Sequence, residues 1–171
     1  EQWMVIVCFY YEDELLQKKL LTHLAEKIPQ ITSLQYVINP KKNSTIFDLD
    51  IKVFSGTNSI YEEMENLKFR ISPKSFFQTN SLQAYELYKV VRDFAEQDEN
   101  DIVYDLYTGT GTIANFIERK SKKVIGIENV SEAIKDAEIN SLTNKIINTG
   151  FFAGDIKNVL NEDFVRHNGI P

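Results

Sequence analysis

Between Asp105 and Thr112 the chain reads Asp-Leu-Tyr-Thr-Gly-Thr-Gly-Thr, a glycine-rich turn placed between an apolar strand pattern and a helical one. Gly109 and Gly111 let the backbone come close to a ligand, and the start of the following helix offers backbone amides. Glu128 stands at the end of the next strand pattern, where a carboxylate can accept both ribose hydroxyls of an adenosine. Turn and acid together describe a site for an adenosine-containing cofactor. Gly109, Gly111 and Ala114 also satisfy the G-x-G-x-x-A form of a dinucleotide fingerprint, so the glycines alone do not choose the cofactor. Three features favour S-adenosylmethionine. Asp105 precedes the glycines where it can hold an ammonium group, Tyr107 and the threonines crowd the turn, and Asp155 follows the third strand where it can line an adenine pocket. The plainer reading of Asp105 and Asp155 is that they cap the helices that follow them.

The elements that position these residues are legible in outline. Strand, helix, strand, helix, strand alternate over Ile102–Tyr107, Thr112–Lys120, Val124–Glu128, Glu132–Asn140 and Gly150–Ala153, the pattern of a parallel, helix-covered sheet. Ahead of them a helix is expected with Leu82, Tyr85, Leu87, Tyr88, Val91, Phe94 and Ala95 on its buried face, after a short strand Lys68–Ile71. The first part predicts a strand over Trp3–Tyr11 and then a helix whose apolar face carries Leu15, Leu16, Leu20, Leu21, Leu24, Ala25 and Ile28, stopped at Pro29. Strands Ser33–Ile38 and Thr45–Phe54 follow. The texture changes near residue 67, which divides a small α+β domain (1–67) from an α/β domain (68–171).

The 171 residues are 43% apolar and 26% charged, which suits one or two folded domains and excludes a disordered or collagen-like chain. No run approaches the roughly 18 apolar residues of a membrane helix, and no secretory leader is visible, so a cytoplasmic protein without a membrane partner is expected. One cysteine, Cys8, permits neither an internal disulfide nor a multi-thiolate metal site; no metal is expected. Net charge is −6, with six basic and ten acidic residues up to position 67 against thirteen and fifteen beyond it. An extended basic face is excluded, and a polyanion should meet the second part. Residues 1–67 could serve as a docking module only if Lys41 and Lys42 cluster with other cations.

The stretches FRISPKSFFQTNSLQAYELY, VYDLYTGTGTI and KVIGIENVSEAIKDAEIN together resemble the RumA/TrmA family of RNA uracil-5-methyltransferases, and INPKKN resembles the segment that precedes their catalytic core. The resemblance covers essentially the whole chain. It implies a Rossmann-like methyltransferase core, represented by its N-terminal half, behind a small α+β segment. It implies S-adenosyl-L-methionine held by Gln78, Tyr107, Thr112, Glu128 and Asp155, with Gly109 and Gly111 forming the turn. Thr108 and Thr112 stand where many relatives have cysteine and asparagine, which alters hydrogen bonding near the methionine end.

The implied partner is RNA, ribosomal in preference to transfer RNA. Lys74, Phe76 and Gln78 lie in a run that combines a cation, aromatic rings and an amide, suited to phosphate contact, base stacking and a hydrogen bond to an extruded base. The plainer reading makes at least one of Phe76 and Phe77 a core residue, and Lys68 and Arg70 solvated strand residues. Methylation at carbon 5 of uracil needs a thiolate to add at carbon 6 and a base to take the carbon 5 proton. Cys8 sits in an apolar strand and is expected to be buried and structural. No catalytic residue is therefore assigned, His23 and His167 have no visible partner, and the chain is expected to be an inactive fragment ending inside its catalytic domain. A sheet stopping after three strands would leave the glycine-turn strand with an unpaired edge, inviting self-association. Two other readings stay open: a methyltransferase acting on an amine or a protein, and a dinucleotide-binding oxidoreductase module.

Overall fold

A computed structural model describes residues 2–171 and shows a mixed α/β chain in two compact units. The first runs up to Glu62 and includes Ser72–Lys74; the second comprises Glu63–Ile71 and Ser75–Pro171.

In the first unit, β1 (Trp3–Phe9) and β2 (Ile31–Ile38) pair in parallel through α1 (Glu14–Lys27), and β3 (Lys52–Gly56) joins β2 antiparallel, giving the order β1-β2-β3. Asp13 caps α1 by accepting from the Leu16 amide at 3.0 Å, as its place before an acidic first turn leads one to expect. The helix buries Gln17 and Leu21, while Leu15, Leu16 and Leu20 face outward, so its inner face is turned relative to the leucine pattern. Gln17 can be buried because its amide donates to the Tyr11 carbonyl at 3.1 Å.

The expected strand over Thr45–Phe54 is shorter and shifted, to Lys52–Gly56. Side chains supply the reason. The Asn39 amide donates to the Asn43 carbonyl at 2.9 Å, Thr45 donates to the Asn43 side chain at 2.7 Å, and Lys41 bonds Asp48 at 2.6 Å. These local partners satisfy the segment without a ladder.

The second unit contains a parallel sheet of β6 (Ile102–Leu106), β7 (Lys123–Glu128) and β8 (Thr149–Ala153), ordered β6-β7-β8. Its crossovers are α3 (Thr112–Ile117) and α4 (Ser131–Thr143); α5 (Ile156–Val159) and α6 (Glu162–Asn168) follow, and His167, for which the sequence shows no partner, lies in α6 with its Nδ1 2.6 Å from the Asp163 carbonyl oxygen. β4 (Ile60–Met64) and β5 (Leu67–Ile71) form a two-stranded sheet before α2 (Ser81–Phe94). The core gathers Phe69, Ala84, Tyr88, Ala114, Phe116, Ile117 and Val124. Ala84, Tyr88 and the half-buried Tyr85 and Val91 make the inner face of α2, whereas Leu82, Leu87 and Phe94 are exposed. The expected helix is present, with Tyr85, Tyr88 and Val91 inward as expected and Leu82, Leu87, Phe94 and Ala95 outward.

No helix among the described residues is long and apolar enough to cross a membrane, and no cluster of three or more metal-ligating side chains occurs among them. Phe69 is fully enclosed. Phe69→Ala should lower the unfolding free energy by about 3–5 kcal/mol through lost burial and the cavity left behind, measured by urea denaturation of the second unit's signal.

Candidate functional site

β6 ends at Leu106 and the chain turns at once into a left-handed step at Tyr107, φ 64°, which leaves that ring almost wholly exposed. Gly109 and Gly111 continue with φ of 57° and 71°, a region that costs a residue with a Cβ but not glycine. They are not equivalent. A Cβ on Gly111 would stand 2.8 Å from Ala137 Cβ and 2.9 Å from Phe151 Cζ, so the turn is pressed against α4 and β8 there. A Cβ on Gly109 would meet nothing within 4 Å, so space opens over the turn at that point. One glycine is demanded by packing and the other faces room for a ligand.

Hydrogen bonds hold the turn in place. The Thr108 amide donates to the Ile127 carbonyl at 3.0 Å and the Gly111 amide to the Thr108 carbonyl at 2.9 Å. Glu128 Oε2 accepts from the Gly109 amide at 3.2 Å and Oε1 from the Val130 amide at 2.9 Å. Glu128 is half-buried at the carboxyl end of the central strand, and each oxygen keeps a lone pair for a further donor. Thr108, Thr110 and Thr112 are buried, the last two bonded to each other through their hydroxyls at 2.9 Å.

Asp105 lies behind the turn. Its Oδ2 accepts from the Thr108 hydroxyl at 2.6 Å and from the Ala114 amide at 3.1 Å, in the first turn of α3. Burial raises its pKa above the usual carboxylate value, against those two hydrogen bonds, and the negative charge of Glu128 adds to the rise. Asp105 therefore acts as the helix cap that the plainer reading foresaw. Asp155 does likewise: exposed after β8, it caps α5 by accepting from the Lys157 amide at 2.9 Å.

Gly109, Gly111, Thr112, Tyr107, Asp105 and Glu128 thus share one neighbourhood, the carboxyl ends of β6 and β7. Gln78 and Phe76 belong to the same unit and are exposed, on the run that leads into α2, with Phe76 at 73% exposure. Phe77 packs against the core, its ring 6.4 Å from Phe69, so one of the two phenylalanines is structural. Lys74 belongs to the first unit and is half-buried. Cys8 is exposed, on the outer strand β1, which corrects the expectation of a buried thiol: the residues on either side of it carry the partly buried face.

Sequence reading missed the polar side of α4. Arg70 is not a solvated strand residue: it pairs with Asp136, which is 1% exposed, and Asp136 also accepts from the Ser75 hydroxyl at 2.8 Å. Asn140 Oδ1 accepts from the Arg70 amide at 2.6 Å, while its Nδ2 donates to the carbonyls of Thr110 at 3.0 Å and Arg70 at 3.3 Å. Asn144 takes the Lys68 amide at 2.8 Å and donates to its carbonyl at 2.9 Å. The spacing of two asparagines four apart in a helix was the available signal.

A family model described as a methyltransferase domain matches residues 97–169. Relatives named as uncharacterized RNA methyltransferases include one from Bacteroides thetaiotaomicron, 51% identical over 100% of this chain, and one from Porphyromonas gingivalis, 54% identical over 98%. The chain spans 38% and 36% of their lengths. Among solved structures, the tRNA (uracil-54, C5)-methyltransferase of Pyrococcus abyssi, in complex with S-adenosyl-L-homocysteine, superposes with a TM-score of 0.63 at 27% identity, over 77% of this chain and 32% of that one. Trm5b of the same organism shares the fold at 16% identity, TM-score 0.59, over 88% of this chain and 44% of that one.

The raised pKa of Asp105 has a signed consequence. An acid whose folded pKa lies above its unfolded value holds its proton more firmly when folded, so stability falls as pH rises from the unfolded value, about 3.9, through the folded one. Asp105→Asn removes this dependence. The stability of the variant relative to the parent should improve as pH is raised from 4 to 7 in urea titrations, and a difference that stays flat would mean an ordinary Asp105.

Proposed function

We propose, from the premise that this chain is homologous along its whole length to bacterial RNA methyltransferases and carries a methyltransferase-domain segment, that it holds the S-adenosyl-L-methionine-binding half of an enzyme that methylates carbon 5 of a uridine in RNA. On this reading residues 68–171 are the first part of the catalytic domain and residues 1–67 a small domain preceding it. The observation that carries it is the joint match of fold and sequence, over 77% of this chain, to a uracil C5 methyltransferase solved with S-adenosylhomocysteine.

The residues fit the cofactor. Open space stands over Gly109, and Glu128 presents two anchored oxygens to a ribose diol. Tyr107 offers an exposed ring, Thr112 a hydroxyl at the start of α3, Asp155 a carboxylate beyond β8 and Gln78 an exposed amide. When bound, S-adenosylmethionine supplies a methyl group activated on a sulfonium. The chain's own part is to orient it: the Gly109 and Val130 amides fix both oxygens of Glu128, and the glycine turn admits the ligand to the backbone. Phe76 and Gln78 on one side, and Lys74 through its charge, are the proposed RNA-facing groups. Cys8 is the only thiol and lies in the first unit, so the chain on its own would bind and not turn over. The proposed substrate is 23S ribosomal RNA, and the proposed setting is the cytoplasm. The outer edge of β6, terminal in its sheet, is the proposed place of self-association.

Glu128→Ala should weaken S-adenosylhomocysteine binding at least tenfold by calorimetry, since each hydrogen bond to a charged group contributes about 1.5–3 kcal/mol and about 1.4 kcal/mol is tenfold. Unchanged affinity overturns the site. In the full-length enzyme, methyl transfer to 23S ribosomal RNA should exceed transfer to transfer RNA; the reverse result reassigns the RNA class. Sedimentation of the chain at rising concentration should show dimers that a Leu106→Lys change, at an exposed position of β6, abolishes; a monomer throughout removes the edge-pairing proposal.

A further inference from the structure

We infer that Asp136 and Asn140 of α4 are positioning residues that set the run Ser75–Asn80 at a fixed distance from the glycine turn, so that Gln78 and the turn act on one ligand together. This rests on the proposed cofactor reading and adds the device that joins its two halves.

The geometry follows from two helical repeats and one strand repeat. Four residues of α-helix advance about 6 Å, and two residues of strand about 6.6 Å. Carboxamides at Asn140 and Asn144 can therefore each take both backbone groups of alternate β5 residues, Arg70 and Lys68, as a neighbouring strand would. That accounts for β5 but not for two further contacts. Asn140 also donates to the Thr110 carbonyl inside the glycine turn, and Asp136, one helical turn earlier, receives the Ser75 hydroxyl at the root of the run that carries Phe76 and Gln78. Between them Ala137 fills the place a Gly111 side chain would need. One side of α4 thus touches the turn at two residues, Thr110 and Gly111, and the opposite segment at three, Lys68, Arg70 and Ser75.

The contacts are built to hold. Asn140 is fully buried and uses its acceptor and both donors, and Asp136 is nearly as enclosed with the Arg70 guanidinium and Ser75 as partners. Buried polar networks whose members are satisfied restrict a fold to one arrangement. Tyr107, Phe76 and Gln78 are all exposed, so packing of these three side chains does not join the two loops.

Two measurements test it. In a Cys8→Ser background, spin labels at Thr79→Cys and Asn129→Cys should give one narrow distance distribution, and Asn140→Ala should broaden it with β7 intact; an unchanged width overturns the inference. Should Asn140→Ala fail to fold, Ser75→Ala removes a single bond and should broaden the distribution by itself, and an unchanged width there is equally decisive. For the ligand, Ser75→Ala should weaken S-adenosylhomocysteine binding three- to tenfold when Gln78 is present and not at all in Gln78→Ala. Equal losses in both backgrounds would make Ser75 merely structural. Absence of binding in the parent chain would refute the cofactor reading, while the label distances still decide whether α4 sets the spacing.

Discussion

The second unit is organised around a place where no side chain fits. At Gly111 the backbone is left-handed and its missing Cβ is replaced by Ala137 and Phe151, so α4 and β8 close directly on the turn after β6. Any substituent would push the turn off the sheet. Gly126 obeys the same rule from the next strand, where a Cβ would be 2.5 Å from Phe151 Cδ1 and 2.8 Å from Thr108 Cγ2. Phe151 therefore lies across two glycines, and its ring fixes how near β7 and the turn approach. The amide of Gly109 reaches Glu128 because of that closeness.

Close packing of the turn brings electrostatic cost, and the residues around it show how the cost is met. Asp105 is drawn into the interior behind the turn and holds two hydrogen bonds, yet burial still prevails in its pKa. Glu128 is placed at the rim, where both oxygens are bonded and water remains within reach. Two carboxylates on adjacent parallel strands thus divide the labour: the inner one closes the start of α3, and the outer one stays available to a ligand. A site with both acids outward would leave the Ala114 amide without its cap.

How much of this could be read from residues alone follows from the range of each interaction. Strand and helix alternation after Ile102 is a local pattern, and β6, β7, β8 and α4 lie where periodicity puts them to within three residues. The glycine turn and Glu128 were legible because their spacing is set by one strand-turn-helix-strand unit. The burial faces of α1 and α2 were legible only in part, because leucine spacing is blind to which side the neighbouring elements occupy: Leu21 of α1 and Tyr85, Tyr88 and Val91 of α2 face inward as expected, but Gln17 joins Leu21 by finding the Tyr11 carbonyl while Leu15, Leu16 and Leu20 stay outside, and Ala84 joins Tyr88 while Leu82, Leu87 and Phe94 stay outside. Arg70, Asp136 and Asn140 were missed for a related reason. Their bonds span 61 to 70 positions along the chain, and nothing in a window of either segment announces the other.

Those long bonds also explain why the α4 contacts are polar where the remaining core is apolar. β5 lies beside a helix and not beside a strand on that side, and a strand edge facing a helix leaves backbone amides and carbonyls with no ladder to complete. A leucine at position 140 would leave the partly buried backbone groups of Arg70 unpaired, at a cost of about 1–3 kcal/mol each. Asparagine is the short side chain that offers a donor and an acceptor together, as a peptide unit does, and four-residue spacing repeats it at nearly the strand's interval. A helix can therefore stand in for a strand wherever such a pair faces an edge. In this chain the substitution has a further effect, because the same asparagine that completes β5 has one donor left over, and that donor falls on the glycine turn.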